Sequence, residues 1–296
     1  MVDFEIKPLN EDAKKALISL ELVDEIGIYS DELTLTFPNS FKRPEYKKEL
    51  TVFIDGHYYG VFVVQTTNKT DKNLIVKATA TNFTKELKEK KNRSFENIKL
   101  CAIVSKIANE HGLESKCDFD ILLKYESQTN ESDLNFLHRL ADKFNAQFNI
   151  KDNKIIFLKH KEENKNLPKF FIKKNEVISY SIKHKAKTIY KSVIAKWQDT
   201  KENKIKTIIV GAGKPQYELQ DSFKNEAEAN SRAKALLEIL NKGSIEGNIS
   251  LPGKEIRAGG ILVLEGFDED DGEYSINKVT HTINQSGYIV KVSFRK

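Results

Sequence analysis

The chain has 296 residues, of which 39% are hydrophobic and 31% are charged, and its formal net charge at pH 7 is +5. This length and apolar content allow one large or two medium domains with buried cores. The small positive excess is weak support for nucleic-acid binding, and no run of about 18 apolar residues could span a membrane. We therefore expect neither a nucleic-acid partner nor a membrane anchor.

The two cysteines, Cys101 and Cys117, lie outside any CxxC pattern and have no nearby pair of histidines. This spacing argues against a zinc site and against a disulfide framework. The first ten residues, MVDFEIKPLN, show no basic-then-apolar signal peptide. We therefore expect reduced thiols in a protein made in the cytoplasm.

The first stretch, up to about residue 82, predicts an all-β unit. Short runs of β-branched and aromatic residues are separated there by turn formers. Asp55-Gly56 and the run 70–73 lie at hairpin positions, so successive strands should be antiparallel neighbours. The predicted strands are ALISLELV, DELTLTF, ELTVFI, YYGVFVVQTT and NLIVKATAT.

The second stretch changes to a helical period. The run 85–93, KELKEKKNR, is interpreted as a solvated connecting helix, because glutamates interrupt its lysines and no aromatic residue lies among them. The next helix is predicted with Ser94 as its N-cap and Gly112 as its stop. Its apolar face comprises Ile98, Cys101, Val104, Ile107 and Ala108.

A further helix is predicted over about 132–145. Thr129, Asn130 or Ser132 can cap it, and Glu131 with Asp133 place negative charge at its positive end. Its apolar stripe comprises Leu134, Leu137, Leu140, Ala141 and Phe144.

After this helix, AQFNI and KIIFLK flank Asp152-Asn153, which predicts a tight hairpin, and the polar run KHKEENKNLPK predicts a connection. The third stretch returns to β structure, with one helix over about 225–242 that ends before Gly243. The predicted strands are EVISYSIKH, SVIAKWQ, KIKTIIV, IEGNISL, GGILVLEG, EYSINKVTHTI and YIVKVSF. The helix buries Ala229, Ala233, Leu236, Leu237 and Leu240.

Two motifs that could bind a ligand fail on their spacing. VGAGKP at 210–215 has one residue between its glycines and a proline after the lysine, so a phosphate loop cannot form. FDEDDGEY at 267–274 fails the calcium-loop template, because Phe267 and Lys278 would occupy its first and last ligand positions. The six histidines are dispersed. We therefore expect no enzyme, no cofactor and no required metal.

The polar residues of the helix at 132–145 are interpreted as scaffold. Glu131 and Asp133 are two positions apart, so on a helix they point about 200° apart and cannot form an acid/base pair. His138 and Arg139 flank Leu137 and should lie beside or behind the apolar stripe, in solvent.

The order of short motifs resembles the phage late control protein D family. A helix ending in HGL precedes a Gln-x-x-Glu-Ser-Asp-x-x-Phe-Leu-x-Arg-Leu-Ala run, and THTINQSGYIVKVSF resembles the closing hairpin of the family. Before GGILVLEG the chain departs from the short turn of the family and reads LPGKEIRAGG. The matching residues are His111, Gly112, Leu113, Gln128, Glu131, Ser132, Asp133, Phe136, Leu137, Arg139, Leu140, Ala141, His281, Gly287 and Tyr288.

The resemblance implies a mainly β, α+β fold with two tube-like β-barrel domains, at 1–84 and 168–296, joined by a helix-helix-hairpin connector at 85–167. It also implies a structural hub of a contractile tail, in which three copies form a ring between a sixfold tail tube and a central spike. The implied partners are itself as a homotrimer, the spike, the tail tube and other baseplate proteins, and the tape-measure protein. Assembly in the host bacterial cytoplasm, into a virion baseplate or tail-like particle, is expected.

Two other functions remain open at this point. A carbohydrate- or protein-binding β-module is compatible with the strand pattern. A cell-wall hydrolase is less compatible, because the family-like segments occupy the chain and leave no additional lytic domain.

Overall fold

The computed structural model describes residues 3–27, 30–80, 85–151, 154–159, 167–185, 188–199, 202, 204–223, 225–241 and 244–296. These residues are mainly β, as the sequence predicts. The described strands are β1 (Phe4–Lys7), β2 (Ser19–Glu25), β3 (Glu32–Pro38), β4 (Glu49–Ile54), β5 (His57–Lys69), β6 (Asn73–Ala80), β7 (Lys90–Lys99), β8 (Glu114–Cys117), β9 (Leu122–Ser132), β10 (Ala146–Lys151), β11 (Lys154–Lys159), β12 (Lys169–Lys173), β13 (Ser179–His184), β14 (Ser192–Asp199), β15 (Lys204–Gly211), β16 (Gln216–Phe223), β17 (Ile245–Pro252), β18 (Ile261–Glu265), β19 (Gly272–Asn284) and β20 (Gly287–Arg295). The described α-helices are α1 (Glu11–Ala16), α2 (Leu100–Glu110), α3 (Asp133–Phe144) and α4 (Glu226–Asn241).

The chain forms two compact units that are each discontinuous in sequence. Unit 1 comprises Met1–Phe83, Asn166–Lys183 and Glu246–Lys296, and unit 2 comprises Thr84–Lys165 and His184–Ile245. This division differs from the expected one, because residues 168–296 contribute to both units. The physical reason is strand pairing: β2 near the N-terminus pairs with β19 near the C-terminus, and this pairing draws both ends of the chain into unit 1.

Unit 1 is built on one sheet of twelve described strands. Along the sheet the order is β1-β4-β5-β6-β3-β2-β19-β20-β17-β13, and β18 joins β12 to β19. The predicted hairpins are present, since β4 pairs with β5 across Asp55-Gly56 and β5 pairs with β6. Alternating residues are buried along β2, β3 and β4, so one side of each strand faces the core, as a two-residue period requires.

The described residues of unit 2 form three small sheets and three α-helices. β7 pairs with β9, β8 with β11 and β11 with β10, while β14 lies between β15 and β16. β10 and β11 pair antiparallel as predicted, whereas their Asp152-Asn153 turn lies outside the described residues, as do residues 160–166 of the predicted connection at 159–169. The helix α4 covers the β14 sheet and buries Ala229 and Ala233 against Val193 and Ala195.

Two of the three predicted long helices are confirmed. Ser132 caps α3, with its hydroxyl accepting from the Asn135 amide at 3.2 Å, and the whole predicted stripe of α3 is buried. The helix α4 has the predicted position, although its predicted stop at Gly243 lies outside the described residues.

The prediction of a solvated connecting helix over 85–93 is wrong, and so is the first part of the helix predicted to begin at Ser94. Residues 85–88 form one turn of 3₁₀ helix and residues 90–99 form the strand β7, so α2 begins at Leu100 and Lys99, not Ser94, occupies its N-cap. In β7 only Phe95 is buried, and the strand is stabilised by its ladder with β9. Ile98 therefore lies in β7 and is not part of the apolar face of α2, although its spacing in the sequence matches that face.

The expectation of reduced thiols is also contradicted. Cys101 and Cys117 form a disulfide with a Cα–Cα distance of 5.5 Å, well inside the range that a disulfide bridges. The reason is local topology: α2 leads through a turn at Gly112 into β8, and this return brings the two cysteines side by side. Among the described helices, none is long and apolar enough to cross a membrane.

Candidate functional site

The polar half of the motif in unit 2 lies where β7 and β9 meet the start of α3. Arg93 on β7 is opposite Gln128 on β9, and Asp133 is the first residue of α3. The C-terminal end of α2 supplies Glu110 and His111. We call these six residues the Asp133 cluster: Lys91, Arg93, Glu110, His111, Gln128 and Asp133.

Asp133 is the centre of the cluster and is completely buried. Its Oδ1 accepts from Arg93 Nη2 at 2.7 Å and from Gln128 Nε2 at 2.8 Å. Its Oδ2 accepts from Lys91 Nζ at 2.6 Å and lies 2.8 Å from His111 Nε2. Two hydrogen bonds to each oxygen compensate for the loss of water around the carboxylate.

The second carboxylate, Glu110, completes the charge balance of the cluster. Arg93 Nη1 donates to both of its oxygens at 2.7 and 2.8 Å, and Lys91 Nζ donates at 3.2 Å. Two cations therefore face two carboxylates, and each cation contacts both. Gln128 is fully buried and links the pair, because it accepts from Arg93 Nε at 2.7 Å while donating to Asp133.

The same contacts set the protonation of the two carboxylates. Burial alone would raise the pKa of Asp133, but hydrogen bonds from Lys91, His111 and Gln128 and the charge of Arg93 lower that pKa below its ordinary value. Burial also opposes ionisation of Glu110, and hydrogen bonds from Arg93 and Lys91 lower its pKa in turn. Both groups are therefore anionic at neutral pH.

Three members of the cluster could in principle hold a metal ion. Glu110, His111 and Asp133 each offer one ligand atom, and these atoms lie within 4.8 Å of one another. The ammonium of Lys91, however, already donates to both carboxylates, and Arg93 donates to them as well. Because these two cations neutralise the acids, the arrangement fits an internal ion-pair network better than a metal centre.

The cluster is equally unsuited to acid/base chemistry on a substrate. The side chains of Asp133 and His111 are 0% and 3% exposed, so a substrate atom cannot reach them. Asp133 and His111 are held in place by other residues of unit 2, including Lys91, Arg93 and Gln128. What the arrangement does is hold β7, β9, α2 and α3 together through charged hydrogen bonds.

A second set of polar residues joins α3 to β9. We call these four residues the Arg139 cluster: Glu126, Glu131, Arg139 and Lys143. Arg139 donates to Glu126 at 2.7 Å, to the Ser127 carbonyl at 2.7 Å and to Glu131 at 3.1 Å. Lys143 donates to the other oxygen of Glu126 at 2.8 Å. Arg139 was expected to lie in solvent; its side chain is 42% exposed, but it also joins α3 to β9, so its role is structural.

The apolar motif residues form the core beneath both clusters. Phe136 stacks on Phe95 of β7 with ring centroids 5.5 Å apart, and the guanidinium groups of Arg93 and Arg139 lie 5.2 Å from the centroids of Phe95 and Phe136 respectively. Such cation–π contacts stabilise the aromatic pair. The remaining apolar motif residues are buried: Leu137, Leu140 and Ala141.

The C-terminal motif residues belong to unit 1, where they form a buried group of their own. His281 Nε2 donates to the Ile256 carbonyl at 3.2 Å and Nδ1 lies 2.8 Å from the Tyr288 hydroxyl. The Tyr59 ring packs edge-on against His281, and the Arg257 guanidinium lies 3.5 Å from the Tyr59 centroid. Burial raises the pKa of Tyr59 to about 12 and also raises the pKa of Tyr288, so both hydroxyls stay protonated.

Glycines shape the two turns next to this group. Gly287 opens β20 after a tight turn and has φ +125°, a conformation that favours glycine. A Cβ on Gly253 would overlap the Tyr288 ring, so the run LPGKEIRAGG passes directly over the motif tyrosine. This run is where the sequence departs from the family pattern, and it packs against Tyr288.

Motif residues predicted from the sequence therefore form two separate structural groups. Gln128, Ser132 and Asp133 meet at the start of α3, while His281 and Tyr288 meet in unit 1. Sequence reasoning missed Lys91 and Arg93, since it assigned their segment to a helix. The alternation of Lys91, Arg93 and Phe95 at every second position is the signal that could have indicated a strand with two cations on one face.

A cavity of about 270 Å³ also lies in unit 2, slightly smaller than typical small-molecule pockets. Its two phenylalanines, Phe119 and Phe144, are buried, so they present no open aromatic face on which a sugar ring could stack. The rest of the lining is mixed and polar, including Asn230, Ser231 and Lys234. This cavity gives no specific support to a carbohydrate-binding module.

Comparison with known proteins identifies the family. The sequence model described as "Phage tail baseplate hub (GPD)" matches residues 84–287, more than half of the chain. The chain belongs to the phage tail baseplate hub family. The hub sequence is also 24% identical over 333 aligned positions to the probable baseplate hub protein of Escherichia phage P2, across 92% of the hub chain and 86% of the phage P2 protein.

Solved structures share the fold of this hub. A tail protein from Neisseria meningitidis MC58 aligns with a TM-score of 0.72 and 10% identity, over 100% of the hub and 96% of that chain. An E. coli type VI secretion component, described as similar to the T4 phage tail proteins gp27 and gp5, aligns with a TM-score of 0.58 and 11% identity, over 99% and 76% of the two chains. The match over residues 84–287 confirms the predicted family, and the hub is a structural component of a phage tail baseplate.

Proposed function

We propose that this hub forms a ring of three copies that adapts a sixfold tail tube to a central spike. The observation that carries the proposal is the family match over residues 84–287. A threefold ring can contact a sixfold tube when each copy presents two similar surfaces. We infer that each copy supplies them as two tube-like β-barrels joined through the α2–α3 region.

An edge strand of unit 2 offers a surface for contact between copies. β15 pairs with β14 and with no other described strand, and its Ile205 and Ile209 are 73% and 58% exposed. On its other side, Ile208 and Val210 pack towards the core under α4. An open edge with exposed isoleucines favours association unless it is covered, and a neighbouring copy would cover it.

The proposed partners follow from this role. The hub would contact the central spike on one side of the ring and the tail tube on the other, with other baseplate proteins and the tape-measure protein nearby. It would assemble in the cytoplasm of the host bacterium. The role is structural and not enzymatic, because the buried acids of the Asp133 cluster are fully engaged with cations.

The test is the mass and symmetry of purified full-length hub, alone and with its spike. We expect a trimer and a threefold ring, whose interfaces exceed the ~1,200 to 2,000 Å² of an ordinary complex. A strictly sixfold ring, or a chain that stays monomeric even with spike supplied, would overturn the proposal. Assays on peptidoglycan should be blank with and without chelator.

A pair of variants tests the surface. Replacing Ile205 and Ile209 with lysine should shift the trimer towards monomer, since two charges would face the neighbouring copy. The control replaces Tyr46, which is 63% exposed in unit 1, with lysine and should leave the mass unchanged. If both the wild type and the double variant are trimeric, β15 is not an interface between copies, whereas the threefold ring is still supported.

A further inference from the structure

The disulfide of unit 2 connects one end of α2 to the strand that follows it. Cys101 is the second residue of α2 and Cys117 is the last residue of β8. Their Cα atoms are 5.5 Å apart, and 16 positions separate them in sequence. Both cysteines are half-buried residues that lie outside the fully buried core.

The helix α2 is also held by contacts that do not need the disulfide. Its middle is anchored by Ile103, Val104 and Ile107, all with 0% exposure. At its C-terminal end, Glu110 and His111 belong to the Asp133 cluster. The cross-link is therefore an addition to a helix that already has a buried face and an ionic anchor, and the unit can fold with its thiols reduced.

We propose that Cys101 and Cys117 are a reversible thiol–disulfide site, reduced while the hub assembles inside the bacterium and oxidised after the particle leaves it. The timing rests on the proposed function, because only a released particle moves from a reducing to an oxidising compartment. The oxidised site locks α2 against β8. The reduced site leaves the same contacts in place without the lock.

The oxidant belongs to the class of small-molecule disulfides, such as oxidised glutathione. One cysteine thiolate attacks that disulfide, releases one small thiol and forms a mixed disulfide, which the second cysteine then resolves. The protein loses two electrons and two protons as the Sγ–Sγ bond forms, and the oxidant becomes two thiols. Cys101 is suited to the first step, because a helix N-terminus favours the thiolate.

The lock should change stability because it closes a loop in the unfolded chain. A loop of about 15 residues corresponds to a change in the unfolding equilibrium constant of roughly a hundredfold. Ser105 and Ser115 add a direct contact between α2 and β8, with their hydroxyl oxygens 2.9 Å apart. The reduced protein should therefore keep α2 in place, and the difference should appear on unfolding.

The first experiment measures full-length hub at fixed ratios of reduced to oxidised glutathione. Thiol alkylation and mass spectrometry give the fraction cross-linked, and urea unfolding is followed by the fluorescence of Trp197, the one tryptophan, which lies in unit 2. We expect reversible cross-linking and an unfolding constant about a hundredfold lower when oxidised. Thiols that stay alkylatable at every ratio, or equal urea midpoints in both states, would overturn the site.

The matched variant replaces both cysteines with serine. It should unfold like the reduced wild type at every glutathione ratio, and a redox response in the variant would also contradict the assignment. Timing is tested by alkylating hub trapped in lysed producing cells and hub in released particles. A complete disulfide inside the cells refutes the timing, whereas the mass and symmetry of the ring are measured separately, so the two proposals fail independently.

Discussion

Replacing Asp133 with alanine should destabilise unit 2 strongly. The change removes four hydrogen bonds to a carboxylate with 0% exposure and leaves the cations Lys91 and Arg93 facing a single acid. Removing one partner of a buried ionic network costs about 3–5 kcal/mol. Because Lys91 and Arg93 are 31% and 19% exposed, water offsets part of this cost, so we expect about 3 kcal/mol.

The assay is urea unfolding monitored by the fluorescence of Trp197, which lies in the same unit as Asp133. With a urea dependence of 1–3 kcal/mol per molar, a loss of about 3 kcal/mol lowers the midpoint by about 1 M or more. Asp133→Asn should lose less, because its amide keeps the shape and can still accept from Gln128 or Arg93.

The matched control is Asp142→Ala on the same helix. The Asp142 side chain is 72% exposed and pairs with His138, and an exposed pair of this kind contributes less than about 0.5 kcal/mol. If the two alanine variants shift the midpoint equally, the Asp133 cluster does not stabilise the unit and the structural interpretation of the motif is refuted.

Three further outcomes are expected. Because the pKa values of Asp133 and Glu110 are lowered in the folded state, unit 2 should lose stability as pH falls below the unfolded values of about 4, and an acid titration should show a shallower loss in Asp133→Asn. Leu137→Ala should cost about 2–5 kcal/mol, whereas His138→Ala should be nearly neutral; in urea melts the reverse order would contradict the scaffold role of α3. Tyr288→Phe removes the hydroxyl bonded to His281 and should cost about 1 kcal/mol, measured as faster hydrogen exchange in β19 and β20.

Local patterns in the sequence were sufficient for elements that bury one regular face. The strands β2 to β6 alternate apolar and polar residues, and α3 carries a stripe from Leu134 to Phe144 that matches its buried side. Such elements obey a period that the sequence displays directly. The family resemblance could be recognised because the short motifs occur along this chain in the same order as in the family.

What the sequence did not reveal depends on contacts between distant segments. The segment containing Lys91 and Arg93 buries only Phe95, so its pattern was too weak to distinguish a strand from a helix, and the partners of Asp133 were missed with it. The disulfide depends on the return of β8 beside α2. The pairing of β2 with β19 joins the two ends of the chain, and no local period encodes such a partner.

Because β2 pairs with β19, β2 cannot complete its hydrogen bonds until most of this hub has been translated. Leu22 in β2 lies opposite His281 in β19, so the ribosome must translate nearly the whole chain before the partner strand exists. At about 5–20 residues per second, the edge of β2 stays open for roughly 10 to 50 s. During this interval the open edge of β2 can pair with another chain. A protein chain truncated before β19 would leave the edge of β2 permanently open.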